Sequence, residues 1–113
     1  MADNKQYITQ FQENGSVMIS EDVIITIAAH AAAEVEGVAS MNVKPNKKGS
    51  KGIKLTVGQE DEVYIECFIN VTYGQSVVAV AKAVQDAVTN AVESMAGLRI
   101  ASVNVNVCGI VRQ

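Results

Sequence analysis

From residue 53 to residue 72 apolar and polar side chains alternate almost without interruption. Ile53, Leu55 and Val57 are set against Lys54 and Thr56. After a turn at residues 58–61, Val63, Ile65, Cys67, Ile69 and Val71 are set against Tyr64, Glu66, Phe68, Asn70 and Thr72. A period of two places each set on its own side of a pleated strand, so the segment reads as two half-buried strands joined in a hairpin. Past Tyr73-Gly74-Gln75-Ser76 the period changes. Val77, Val80, Ala81, Val84, Val88, Ala91, Val92 and Met95 form one stripe, and Lys82, Gln85, Asp86, Thr89, Asn90 and Glu93 cover the rest. That spacing predicts an amphipathic helix of about 20 residues, roughly 30 Å long, with Ser76 as its cap and Gly97 at its end. A first helix is predicted from Val23 to about Val35. It is capped by Ser20, has Glu21 and Asp22 against its positive end, and presents Ile24, Ile27, Ala28, Ala31 and Val35 on one face, with Gly37 closing it.

The remaining segments are shorter. Residues 17–19 and 38–43 read as strands, and Val103, Val105 and Val107 alternate with Ser102, Asn104 and Asn106 in a last strand where Gly109 marks a bulge or bend. Residues 1–14 are polar and aperiodic and read as a flexible N-terminal tail, leaving residues 15–113 as one domain. The order β-α-β-β-β-α-β, with every strand alternating and each helix carrying one apolar stripe, predicts an α+β fold. Specifically, it predicts a two-layer sandwich with one mixed, mostly antiparallel sheet of four to five strands and both helices on one face.

Composition narrows the picture. The chain has 113 residues, is 49% hydrophobic and contains no Trp, two Phe and three Tyr, so Val, Ile and Ala must build the core. A net charge of −3 argues against a dedicated nucleic-acid binder, whose footprint is basic. Two cysteines 41 positions apart form neither a disulfide framework nor a zinc spacing. The N-terminal residues lack the features of a signal peptide, and no apolar run approaches the roughly 20 residues that span a bilayer, so a reduced, cytoplasmic protein is expected.

A search for chemistry finds little to support catalysis. His30 lies off the apolar stripe of its helix and has no second histidine to complete a metal site. Cys67 shares its strand's apolar face and reads as a small buried hydrophobe, while Cys108 falls out of phase with Val105 and Val107 and reads as exposed. Glu34 and Glu36 flank a helix end, and Glu60-Asp61-Glu62 fills a turn, where carboxylates are ordinarily solvated. No nucleophile elbow, zincin, dinucleotide or Walker motif is present. The expectation is therefore no enzyme, no cofactor and no metal. Charge is more informative: Lys44, Lys47, Lys48, Lys51 and Lys54 fall within eleven residues, so a +5 loop rides on a body of −8. Such a loop is a candidate contact for an anionic surface. Its Gly49-Ser50-Lys51-Gly52 matches the GXXG of KH domains but lacks the flanking helices. Tyr64 and Phe68 lie two strand steps apart on the polar sheet face, which both helices leave bare, and form a candidate protein interface.

Taken together, the segments resemble the alkaline shock protein family, the envelope stress response proteins of Gram-positive bacteria, over roughly residues 15–111. The resemblance is carried by Gly15-Ser16-Val17-Met18-Ile19-Ser20-Glu21-Asp22-Val23-Ile24 and by Glu34-Val35-Glu36-Gly37-Val38-Ala39-Ser40-Met41. It continues in Lys51-Gly52-Ile53-Lys54-Leu55 and Ile69-Asn70-Val71-Thr72-Tyr73-Gly74. It closes with Val84-Gln85, Met95-Ala96-Gly97-Leu98 and Val103-Asn104-Val105-Asn106-Val107. The family has no agreed functional residues, and the loop before Ile53 is shorter here than in many relatives. The resemblance implies a non-enzymatic cytoplasmic scaffold or adaptor in cell-envelope stress or membrane-lipid homeostasis. It would self-associate or dock on a membrane-anchored protein partner and reach the membrane through that partner. The alternative is direct binding of anionic lipid or nucleic acid through residues 44–54.

Overall fold

The computed structural model describes residues 7–12, 14–43 and 51–112. In chain order they form β1 (Tyr7–Gln12), β2 (Gly15–Ser20), α1 (Glu21–Ala33), β3 (Val38–Met41), β4 (Ile53–Val57), β5 (Val63–Thr72), α2 (Val77–Ala96) and β6 (Ile100–Val111). The α+β two-layer fold is as expected. β5 is the spine of a four-stranded sheet, with β3 and β4 antiparallel to it and β6 parallel. Its inward row, Val63, Ile65, Cys67, Ile69 and Val71, is fully buried, and its outward row, from Tyr64 to Thr72, is exposed or half-buried.

Both helices close over the inward row. Ser20 accepts the Val23 N–H at 3.4 Å and Ser76 the Ala79 N–H at 3.3 Å, so both expected Ser caps are made. Gly97 closes α2 as expected, but α1 ends earlier, at Ala33 with Glu34 as its C-cap and not at Gly37. On α2 the buried row is Val80, Val84, Val88, Val92 and Ala96, a strict four-residue spacing. Met95, expected in that stripe, is 71% exposed, because a strict four-residue row leaves position 95 turned a quarter turn away. On α1 the buried residues are Ile24, Ala28, Ala29 and Ala32, with Ile27, Ala31 and Val35 only partly covered. Small Ala side chains at the contact let the two helices approach closely over a Val-built sheet.

Two strand expectations change. Residues 7–12, expected in a flexible tail, form β1, which pairs antiparallel with β2 from Tyr7↔Ser20 to Gln12↔Gly15. β2 therefore belongs to a separate two-stranded sheet and not to the main one. The hairpin holds because Ile8 is 2% exposed in the common core and its cross-strand partner Ile19 packs against that core. An isolated two-stranded ribbon is marginal without such an anchor. At its far end Val17 and Met18 are exposed.

Candidate interaction surface

The chain's two predicted surfaces meet at one residue. Phe68 donates its N–H to the Gly52 C=O and accepts the Asn42 N–H at its own C=O, both at 2.8 Å. β3 and β4 thus form a single line along β5, and the chain leaves that line at Asn42 and re-enters it at Gly52 opposite the same residue. The lysine loop is an excursion from a sheet edge, with Phe68 at its neck. Gly52 makes the re-entry feasible. Its φ is +82°, and a Cβ there would lie 3.0 Å from Met41 Cβ and 3.2 Å from the Phe68 carbonyl oxygen.

Of the five lysines, Lys44, Lys47 and Lys48 lie outside the described residues. The other two diverge. Lys51 takes a positive φ of 55° and donates from Nζ to Thr26 Oγ1 on α1 at 3.0 Å, toward the helical layer. Lys54 is exposed on β4 directly across from Glu66, on the outward sheet face. Among the described residues the lysines do not make one continuous patch.

The outward face is polar and well connected. Asn70 accepts from the Asn42 amide at 3.3 Å and donates to Ser40 Oγ at 3.0 Å, tying β5 to β3. Tyr64, 39% exposed, donates its hydroxyl to Glu62 Oε2 at 3.3 Å. Phe68 is half-buried, more covered than a freely exposed ring. Both aromatics do share this face, across which the described helices do not pass.

The acidic turn is structural. Glu62 accepts the Glu60 N–H at 2.8 Å and the Tyr64 hydroxyl. Its carboxyl is held below the ordinary value first by its own backbone N–H, then by the Glu60 N–H, with a smaller part from Tyr64. Tyr64 is correspondingly raised, by desolvation first and by the Glu62 charge next. An open depression of about 390 Å³ runs from this turn past Tyr64 to Arg99 and Ile100, but the Glu62 carboxylate is already engaged within its own turn. A second depression of about 340 Å³ lies between α1 and α2, lined by Thr26, Ile27, His30, Glu34 and Met95. His30 there is 74% exposed and pairs with Glu34 at 3.6 Å. Among the described residues no group of three His, Cys, Asp or Glu side chains converges as a metal site. Cys67 is fully buried, and burial pushes its thiol up to about 12; Cys108 is exposed.

The last strand presents a further surface. β6 runs beside β5 for its whole length, from Val63↔Ile100 to Thr72↔Val111, with one register shift at Ala101 and then a bulge where Val107 pairs Ile69 and Gly109 pairs Asn70. Cys108 is the extra residue of that bulge. The far end is fastened by Tyr73, whose N–H donates to the Val111 C=O at 2.7 Å and whose ring lies 5.2 Å from the Arg112 guanidinium.

A sequence profile of the family named for alkaline shock protein 23, described as having a cell envelope-related function, matches residues 9–112. The chain belongs to this family. It is 33% identical over 105 residues to the uncharacterized protein Spy1535 of Streptococcus pyogenes, covering 88% of this chain and 81% of the relative. It is 32% identical over 105 residues to the uncharacterized protein YqhY of Bacillus subtilis, covering 85% and 77%. It is 33% identical over 108 residues to YloU of the same organism, covering 85% and 88%. Among solved structures, a triply substituted MamM CTD superposes with a TM-score of 0.55 at 22% identity, over 78% of this chain and 93% of that one. A singly substituted MamM CTD gives 0.53 at 19% identity, over 79% and 96%. These structures share the fold. No helix of the described residues in this alkaline shock protein family member is long and apolar enough to cross a membrane.

Proposed function

We propose that this chain is a non-enzymatic scaffold in cell-envelope stress or membrane-lipid homeostasis, working in the cytoplasm by self-association or by docking on an envelope-associated protein. The observation that carries the reading is the sheet itself. Its inward row is buried under two helices, while its outward face, with Phe68 near the middle of β5 and Tyr64 near its start, and its β6 edge carry no element of the described chain. An open face with a polar ring around half-exposed aromatics has the composition of a protein interface. The fold-level likeness to the MamM CTD is compatible with a binding module and carries no activity across.

Sedimentation velocity on the purified protein over a wide concentration range tests the self-association arm. The expected result is a species of at least twice the 12.0 kDa chain mass. Replacing Tyr64 by Ser should weaken partner docking at the face without unfolding the chain, since its ring is 39% exposed. A strict monomer, together with unchanged recovery of envelope proteins by the Tyr64→Ser variant, would count against the reading.

The second reading, binding of anionic lipid or nucleic acid through residues 44–54, is supported by the loop's position as an excursion from the sheet edge and by its five positive charges. It predicts binding that falls steeply with salt.

A further inference from the structure

The edge of β6 can be read bond by bond. Backbone N–H and C=O groups of successive strand residues point to opposite sides. Phe68 turns both of its groups toward the β3/β4 line, so Cys67 and Ile69 turn theirs toward β6. In a parallel pair, Cys67 opposite Val105 is answered by the residues on either side of Val105, namely Asn104 and Asn106. Val103, Val105 and Val107 therefore turn their N–H and C=O groups away from the sheet. The α2 side chain confirms the phase: Gln85 Nε2 donates to the Val103 C=O at 3.1 Å, closing the edge there. Val105 and Val107 remain, and no strand of the described residues pairs with them. Their side chains point inward yet are only half-buried, because the sheet ends beside them.

This edge lacks two of the usual protections against pairing, charge and proline. Its twelve residues include neither, while the chain outside residues 44–54 carries a net charge of −8. A neutral strip on an acidic molecule is where a second acidic molecule of the same kind can approach without charge repulsion. The strip is also self-complementary. A two-fold axis normal to the sheet pairs residues of equal parity, setting Val against Val on the helical side and Asn against Asn on the open side. With Val103 closed by Gln85, the register that uses only the open groups pairs Val105 with Val107 of a second copy. It sets Asn106 against its own counterpart.

We infer that β6 pairs antiparallel with β6 of a second copy of this chain about a two-fold axis at Asn106, making one continuous eight-stranded sheet with α2 of each copy on the same side. The inference rests on the scaffold reading and assigns its self-association to one strand. The bulge at Cys108 ends the pairing by twisting the rest of β6 away from the second copy.

Three measurements on the full chain test it. The wild type should sediment as a dimer. Asn104→Lys with Asn106→Lys, two exposed positions on the open face, should leave the fold intact by circular dichroism. It should raise the dissociation constant by roughly tenfold or more through like charges set across the pair. Asn106→Cys in a Cys108→Ser background should give a disulfide-linked dimer on mild oxidation, because facing residues of a non-hydrogen-bonded pair have Cα atoms about 4.5 Å apart. Lys54→Cys in the same background, on the other edge, should give none. A wild type that dimerises while the double-lysine variant dimerises equally and Asn106→Cys stays monomeric overturns the β6 assignment and leaves the scaffold reading standing. A wild type that is monomeric at every concentration overturns both the assignment and the self-association arm.

Discussion

On one side of β5 the sheet ends in β3 and β4, and on the other it ends in β6. The first edge is four residues, an excursion of the chain and five more residues, and it carries Lys54. The second is twelve consecutive residues without a charge, with register shifts at Ala101 and at Cys108. A long neutral edge is a template for another strand, and proteins ordinarily blunt such edges with charge, proline, bulges or a covering loop. Here the β3/β4 edge has the charge of Lys54, whereas β6 has Gln85 at Val103 and register shifts at Ala101 and Cys108. The two edges therefore differ in kind: one is interrupted between Asn42 and Gly52 and carries Lys54, and the other is long, continuous and uncharged.

The largest expected effect that separates the edges comes from Gly52→Ala. The left-handed φ of +82° and the 3.0 Å approach to Met41 Cβ both oppose a side chain, so the re-entry of β4 should be strained by about 2 kcal/mol in chemical denaturation. Hydrogen exchange should localise the damage. The Phe68 amide, bonded to Gly52, should exchange faster, while the Cys67 and Ile69 amides facing β6 keep their protection. Equal loosening on both sides would mean that the edges are not independent.

A smaller effect probes the strand that the edges share. Cys67 sits between Ile53 on β4 and Val105 on β6, and its thiol is raised from 9.0 to about 12 by burial. The unfolded chain releases this proton near pH 9 and the folded chain holds it to about pH 12. The contribution is therefore intact below pH 9 and declines as pH rises between those values. From pH 7 to pH 10 the wild type should lose about 1.4 kcal/mol more stability than Cys67→Val, read from urea midpoints. Parallel pH profiles for the two proteins would show that the thiol is not excluded from solvent and that the shared strand opens locally.

Much of this arrangement is legible in the chain because it rests on local physics. β4, β5 and α2 follow from side-chain period, the two Ser caps from hydroxyls preceding apolar runs, and the exposure of Cys108 from a break in alternation. What is not legible depends on pairing across the sequence. Nothing in residues 38–57 announces that β3 and β4 lie end to end along one neighbour, so the lysine loop reads as an ordinary connection and Phe68 as an exposed ring. The β1–β2 hairpin is poorly announced: Asn14-Gly15 resembles a turn signal, but Gly15 is already paired with Gln12 in β2, and the polar surroundings of Ile8 hide its burial. Alternation alone likewise places Val105 and Val107 correctly inward. It does not say that no strand of the described residues lies beyond them, and that fact makes β6 a surface.

The smallest effect on stability should come from changing the charge of the interrupted edge. Lys47, Lys48 and Lys51 changed together to Glu would turn a loop of +5 to −1. Of the three, only Lys51 has a hydrogen bond among the described residues, to an exposed threonine on α1, and exposed pairs of this kind contribute under about 1 kcal/mol. Stability should therefore move by less than about 0.5 kcal/mol, the range of substitutions away from core, caps and buried networks. If the loop contacts an anionic surface, the wild type should bind vesicles containing phosphatidylglycerol in low salt, release them as salt rises, and lose that binding in the triple variant. Sedimentation of the variant should stay that of the wild type, because the change lies on the edge opposite β6. Retained vesicle binding would remove the loop from consideration, and a lost dimer would show that the two edges act together and not separately.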